Sequence, residues 1–190
     1  MCQHNWRFKV IKVEIRRPKI EDTEELNLFF KTVLTDTFAR EGLAELVEDI
    51  EADIESKKKY LKLDFETRGE KRYFLIALAE DKIIGTIAWG TANELIQECT
   101  NGELGTMVEI GTVYVHPDYQ RQGVGNRLLA EMLQILIARG IQEFCLDSGF
   151  KTAQTIWYKK FGEPEYILKD YWGQGQDHMI WKIATNGAYF

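Results

Sequence analysis

The sequence predicts an α/β (α+β) chain built on one mixed, mostly antiparallel sheet of about six or seven strands flanked by about four helices. Three observations predict it. Two helical stripes come early, before any closely spaced strands. Two apolar runs, Tyr73 to Ala79 and Ile83 to Trp89, are joined by only Glu80-Asp81-Lys82, the spacing of an antiparallel hairpin. A long amphipathic stretch separates the strands ending at Val115 and Leu146, which is the crossover a parallel pair requires.

The elements follow in order. Phe8 to Arg16 alternates apolar and polar residues and then meets Pro18, as a strand does. Asp22 or Thr23 can cap a helix whose stripe includes Leu26, Phe29, Phe30, Val33, Leu34 and Phe38, and Gly42 ends it. A second helix is expected with Leu43, Leu46, Val47, Ile50 and Ile54 on one side and acids on the other. After the hairpin, residues 91–106 read as a long loop carrying Asn93, Asn101 and Gly102. Met107 to Val115 is a strand, closed by His116-Pro117-Asp118. Gly123 to Arg139 is a strongly amphipathic helix (Val124, Leu128, Leu129, Met132, Ile135, Leu136) that Gly140 stops. Ile141 to Leu146 is a strand, and Thr152 to Phe161 a helix ending at Gly162. Glu165 to Tyr171 and His178 to Ala184 supply the last two strands.

No internal repeat or Pro/Gly/Ser linker divides the chain, so residues 1–190 read as a single domain. Hydrophobic residues make up 45% and charged residues 28%, an ordinary globular balance. The net charge of −6 disfavours nucleic acid and anionic membranes as partners and leans toward cations. Cys2, Cys99 and Cys145 form no C-x-x-C pair, and His4, His116 and His178 are too scattered for a metal-ligand spacing, so no metal is expected. Cys145 lies in an apolar run and reads as a small buried hydrophobe. The stretch from Met1 to Trp6 lacks the basic-then-apolar layout of a signal peptide, and no apolar stretch approaches the ~18 residues of a membrane span. A reducing cytoplasm is the expected compartment.

The chemistry is concentrated between Val113 and Arg127, where a strand gives way to a polar turn and then to glycines at the mouth of a helix. Unpaired N–H groups at a helix start form an anion site. Gly123 and Gly125 would let a pyrophosphate approach the main chain, with Arg121 adding charge or pointing to solvent. A lone G-x-G also fits a tight turn with close helix–sheet contact. A nucleotide P-loop would need G-x-x-x-x-G-K-[ST], which is absent. Asp147 stands at about the 20-residue distance of a dinucleotide fingerprint. That fingerprint wants a third glycine where Leu128 stands, and a first glycine directly after the strand, where His116 to Gln122 intervene.

The same residues resemble the GNAT superfamily of N-acetyltransferases. Its signature [QR]-x-x-G-x-[GA] is met by Gln120, Gly123 and Gly125, preceded by V-x-P at Val115 and Pro117. The likeness extends to Ile84-Gly85-Thr86-Ile87-Ala88, to Tyr158-Lys159-Lys160-Phe161-Gly162 and to the element order, covering about residues 10–184. It is specific in the second half and loose before residue 70. The resemblance implies the acyl-CoA N-acyltransferase fold, with residues of about 8–70 on the acceptor side and about 105–165 on the acetyl-CoA side. It implies acetyl-CoA as acyl donor, held by the main chain of Gln120, Arg121, Gln122, Gly123, Val124, Gly125 and Asn126 at its pyrophosphate. The main chain of Val113, Tyr114 and Val115 would pair with its pantetheine arm as an added strand, and an N–H near Val113 could polarise the thioester carbonyl. One departure stands out: where the family often has Asn, seven residues before the helix tyrosine, this chain has Lys151, so that contact is not carried over.

What the resemblance implies about activity is direct transfer of acetyl to a primary amine of a small molecule, by an acyltransferase moving groups other than aminoacyl groups. A protein or peptide acceptor, or a silent acyl-CoA-binding sensor, are the alternatives. Glu109 is the first candidate base, where several family members place a glutamate; a solvated strand-end acid is the other reading. With alternation unbroken, Glu109, Gly111, Val113 and Val115 share one face, although the family often bulges this strand, which could reverse the side. Tyr158 is the candidate acid for the leaving thiolate, or else a packed tyrosine with a wet hydroxyl. Asp147 and His116 are reserve bases, read otherwise as a turn cap before the next helix and a turn residue. The acidic stretch Asp36, Glu41, Glu45, Glu48, Asp49, Glu51, Asp53, Glu55 could attract a polyamine, aminoglycoside or basic peptide, or be a solvated helix face. Tyr171 and Trp172 could rim the acceptor site or simply sit in a hairpin turn. Oligomeric state is not fixed by the sequence; a homodimer is common among proteins that resemble this one.

Overall fold

The computed structural model describes residues 12–187. In chain order β1 (Glu14–Arg16) is followed by α1 (Thr23–Arg40), α2 (Val47–Glu66), β2 (Arg72–Ala79), β3 (Lys82–Thr91), α3 (Glu94–Cys99), β4 (Val108–Val115), α4 (Val124–Ala138), β5 (Glu143–Ser148), α5 (Lys151–Phe161), β6 (Tyr166–Leu168) and β7 (His178–Ala184). The strands make one seven-stranded sheet in the order β1-β2-β3-β4-β5-β7-β6. Every neighbouring pair is antiparallel except β4 with β5. The expected mixed, mostly antiparallel α/β architecture is therefore the one observed. Phe8, Val10, Cys2 and His4 lie outside the described residues.

The apolar runs of β2 and β3 are continuous because both sheet faces are covered. Phe74, Ile76 and Leu78 point to one face and pack with Phe30, Leu34 and Ile54 of α1 and α2. Leu75 and Ala77 point to the other and pack with Leu128, Met132 and Leu136 of α4. The β2–β3 turn is tight: Glu80 and Asp81 both have positive φ (51° and 61°), the twist that suits a two-residue hairpin. Gly85 of β3 lets α4 approach, since a Cβ there would meet Leu128 at 2.9 Å and Val124 at 3.1 Å.

Four expectations shift. Asp22 precedes α1 without capping it, because its carboxylate binds Arg16 (2.7 and 3.0 Å) and the Lys19 N–H (2.7 Å). The second helix opens at Val47, beyond Leu43 and Leu46, after the left-handed turn at Gly42 (φ 77°). It also runs on to Glu66, where Asp64 is fully buried against Arg17 (2.8 Å) and the Phe74 N–H (3.2 Å). The loop at 91–106 contains α3, whose Ile96 packs with Cys145 and Ile180 beneath it. The strand expected over Glu165 to Tyr171 is shortened to β6.

Candidate active site

The site begins where the sheet comes apart. The parallel β4–β5 ladder holds only Val108 opposite Phe144 and Glu109 opposite Cys145, so beyond Glu109 the edge of β4 facing β5 is unpaired. On its other side β4 keeps its bonds to β3 but slips register between Thr86 and Ala88, with Thr112 at a positive φ of 53°. This is a bulge, and it reverses the alternation. Ile110, Val113 and Val115 pack on the α4 side, whereas Tyr114 packs on the α1/α2 side. Glu109 and Val113 therefore do not share a face, contrary to unbroken alternation.

Past Val115 the chain makes the expected polar turn. His116 Nδ1 accepts from the Asp118 N–H (3.3 Å), which is the turn-residue role. Gln120 reaches back to the Val115 carbonyl (3.2 Å) and accepts from Arg40 (2.9 Å). Gly123, at φ 82°, is the residue immediately before α4. Among the described residues no carbonyl accepts from the main-chain amides of Arg121 to Asn126; the first bond of the helix is Arg127 N–H to Gly123 O at 3.1 Å. The amides that a helix start leaves over are thus free, beside the unpaired edge of β4. Lys160 adds positive charge nearby, donating to Asn126 Oδ1 at 2.6 Å.

A cavity of about 750 Å³ passes through the splay. Its walls include Val113, Leu146, Ala153 and Trp157 from the α4/α5 side, and Asp53, Lys57, Tyr60, Glu109 and Tyr114 from the α1/α2 side. Leu43 and Leu46, released from the helix, line it too, with Asp49. The acidic stretch therefore divides. Asp49 and Asp53 face the cavity, Asp36 and Glu55 pair with Arg40 and Lys58, and Glu45, Glu48 and Glu51 are solvated.

Glu109 is only 4% exposed, so it is not a solvated strand-end acid. Its Oε2 accepts from the Asn93 main-chain N–H at 2.9 Å. Burial, then the charge of Asp147, push its carboxyl up to about 7, against the pull of Arg72 and Lys57. Asn93 caps α3 through Oδ1 (Ile96 N–H, 2.9 Å), which turns its Nδ2 toward both oxygens of Asp147 (3.3 Å each). His178 Nε2 lies 3.0 Å from Asp147 Oδ2, and Trp172 Nε1 donates to His178 Nδ1 at 3.1 Å. Asp147 thus faces the cavity and does not cap the following turn; Ser148 Oγ does that, accepting from the Phe150 N–H at 3.1 Å. Sequence reasoning missed Asn93 and His178 as partners of this carboxylate, since they come from separate elements with no common spacing.

Tyr158 stands apart. It is 47% exposed, does not line the cavity, and donates its hydroxyl to Glu163. Lys151, where the family often has Asn, opens α5, and its N–H and that of Thr152 are bound by Glu41 from the end of α1 (3.1 and 2.9 Å). A carboxylate supplied 110 residues away in sequence thus caps α5. Glu41→Ala is expected to cost about 1 kcal/mol of stability, read as a lower urea midpoint at unchanged slope; an unchanged midpoint would show the cap to be idle.

Comparison with known proteins agrees with this geometry. The family model for the acetyltransferase (GNAT) domain matches residues 70–162. The PaiA N-acetyltransferase from Thermoplasma acidophilum, solved with coenzyme A, is 24% identical with a TM-score of 0.65, covering 91% of this chain and 100% of its own. A GNAT-family acetyltransferase from Streptococcus pneumoniae is 18% identical at 0.65, covering 91% and 99%. A ribosomal-protein-alanine N-acetyltransferase from Brucella melitensis is 19% identical at 0.63, covering 90% and 99%. At these identities the structures share the fold. Among curated sequences no relative matches the chain.

Proposed function

We propose, from the match of residues 70–162 to the acetyltransferase (GNAT) domain, that the chain binds acetyl-CoA and transfers the acetyl group directly to a primary amine of a small molecule. The observation that carries the reading is continuity. The unpaired edge of β4 runs along a cavity that passes through the splay to Glu109, and the same strand leads on through Val115 and the polar turn to the free amides at Arg121 to Asn126. The amides would hold the pyrophosphate and the edge from Val113 to Val115 the pantetheine arm, with acetyl-CoA supplying an activated thioester. Coenzyme A bound in the Thermoplasma protein supports the same use here. A volume near 750 Å³ lies in the range of small-molecule sites.

An alkylammonium has no lone pair, and an amine of pKa about 10.4 is neutral only about once in 10³ to 10⁴ molecules at pH 7. A base is therefore useful. In this reading Glu109 accepts the proton that the amine nitrogen sheds as the C–N bond forms and the C–S bond breaks. The N–H near Val113 stabilises charge on the carbonyl oxygen. Tyr158 is the proposed donor to the departing sulfur, on the strength of the helix-end motif. A thiolate of pKa about 8.5 leaves readily, and the Tyr158 hydroxyl is engaged by Glu163, so Tyr158→Phe should lower kcat by less than about 10-fold without moving KM for acetyl-CoA. A wild-type rate would remove Tyr158 from the mechanism.

The reading is tested by titrating coenzyme A calorimetrically and by following thiol release from acetyl-CoA over monoamines, diamines, polyamines and a peptide. Binding with amine-dependent release is expected. Binding without release points to a sensor, release with the peptide alone to a protein acceptor, and no binding overturns the proposal.

A further inference from the structure

The four groups around Glu109 do more than line the cavity. Trp172 Nε1 can only donate, so His178 Nδ1, 3.1 Å away, must accept. The imidazole is then neutral and carries its proton on Nε2, aimed at Asp147 Oδ2 at 3.0 Å. Asn93 Nδ2 adds donors to both Asp147 oxygens. Asp147 therefore receives N–H groups from two side chains without receiving a positive charge. The same Asn93 ties the second carboxylate in place, through the main-chain bond to Glu109 Oε2.

We infer that Asp147, held by Asn93 and by a His178 that Trp172 orients, is a positioning residue for Glu109, the two carboxylates being tied together through Asn93. The inference rests on the reading of Glu109 as the base, although its test does not. His178 is 3% exposed and Glu109 4%, so the bond from His178 to Asp147 and the Glu109 carboxyl lie where charge is weakly screened. The other groups facing Glu109 are Lys57 of α2 and Arg72 of β2, both cationic, and Cys145 directly opposite on β5. Arg72 lies over the Tyr60 ring at 4.0 Å, and Lys57 is already paired with Asp53 at 2.7 Å. Burial lifts the Cys145 thiol to about 12, so it stays neutral. Asp147 is thus the anion that opposes those two cations. A base that sheds its proton only near neutrality is a stronger acceptor than an ordinary glutamate.

The experiment follows the Glu109 side-chain carboxyl by carbon-13 NMR against pH, in the whole protein without ligand, with the resonance identified by its loss in Glu109→Gln. The wild-type midpoint is expected near 7. Asp147→Asn should lower it by about 1 unit. Trp172→Phe removes the donor that orients His178, loosening the hold of His178 on Asp147, and should lower the midpoint as well. Midpoints equal to wild type in folded Asp147→Asn, or in Trp172→Phe where the first variant fails to fold, would overturn the inference. A merely structural role would alter stability and leave the midpoint in place. A chain that shows the shifts yet releases no thiol would retain this inference and lose the proposed reaction.

Discussion

Glu109→Gln is expected to lower kcat for acetyl transfer about 10²- to 10³-fold at pH 8, with the affinity for coenzyme A unchanged. The carboxylate lies on the α1/α2 face, away from Val113 and Val115, because the bulge at Thr112 turns the strand. It can therefore receive a proton on the acceptor side without touching the groups proposed to hold the donor. In the wild type, kcat/KM should rise with pH and level off above about 7, where Glu109 is free of its proton. The Gln variant should lose that limb. A variant that keeps both rate and limb would assign the proton to another group.

The same burial carries a stability signature of known sign. Folding raises the Glu109 carboxyl from an ordinary 4.5 to about 7, so the native chain binds a proton that the unfolded chain has lost. The contribution is full below about 4.5, falls as pH rises and is gone above about 7. Glu109→Gln should therefore gain on the wild type across that window, by roughly 3 kcal/mol at most, read from urea midpoints. Loss of rate together with gain of stability at neutral pH is the pattern of a functional group held at a cost. A packing residue would lose on both.

Much of the frame was legible because it is local. The stripe from Val124 to Leu136 and the short Glu80-Asp81-Lys82 connection carry their periods and turn within a few residues. The phosphate-type turn was legible for the same reason: strand, polar turn, glycine and helix follow one another without a gap. Other features are set at a distance. Asn93, Asp147 and His178 come from the start of α3, from β5 and from β7, and nothing in their spacing joins them. Glu41 at the start of α5 looked like one more acid in an acidic stretch. Helix α3 is only six residues long, too short for a period to show, although its cap, Asn93, was visible as a loop residue. The bulge left no mark either, because Thr112 is neither Gly nor Asn, the residues that ordinarily announce a positive φ.

Gly123→Ala and Gly123→Asn are each expected to weaken coenzyme A binding at least about 100-fold, whereas Gly125→Ala should leave it within about 3-fold of wild type. The two glycines differ in what a Cβ would meet. At Gly125 it would touch Val115 Cγ2 at 3.6 Å, an ordinary contact directed at the strand, and alanine favours the helix by up to about 1 kcal/mol. At Gly123 it would enter open space beside the free amides, on a backbone at φ 82°. Alanine there costs about 1 kcal/mol, and relief of that strain would swing the amides of Val124 and Gly125 away. Asparagine tolerates the left-handed region far better, so its loss of affinity would report obstruction separately from strain. Each charge-assisted bond to a phosphate oxygen is worth about 1.5 to 3 kcal/mol, so losing two accounts for the predicted factor. The asymmetry is the informative part. A turn whose only task is to seat α4 on β3 would respond to both substitutions through stability and to neither through ligand affinity. Wild-type binding by both Gly123 variants would place the diphosphate elsewhere, and the donor side of the proposed reaction with it.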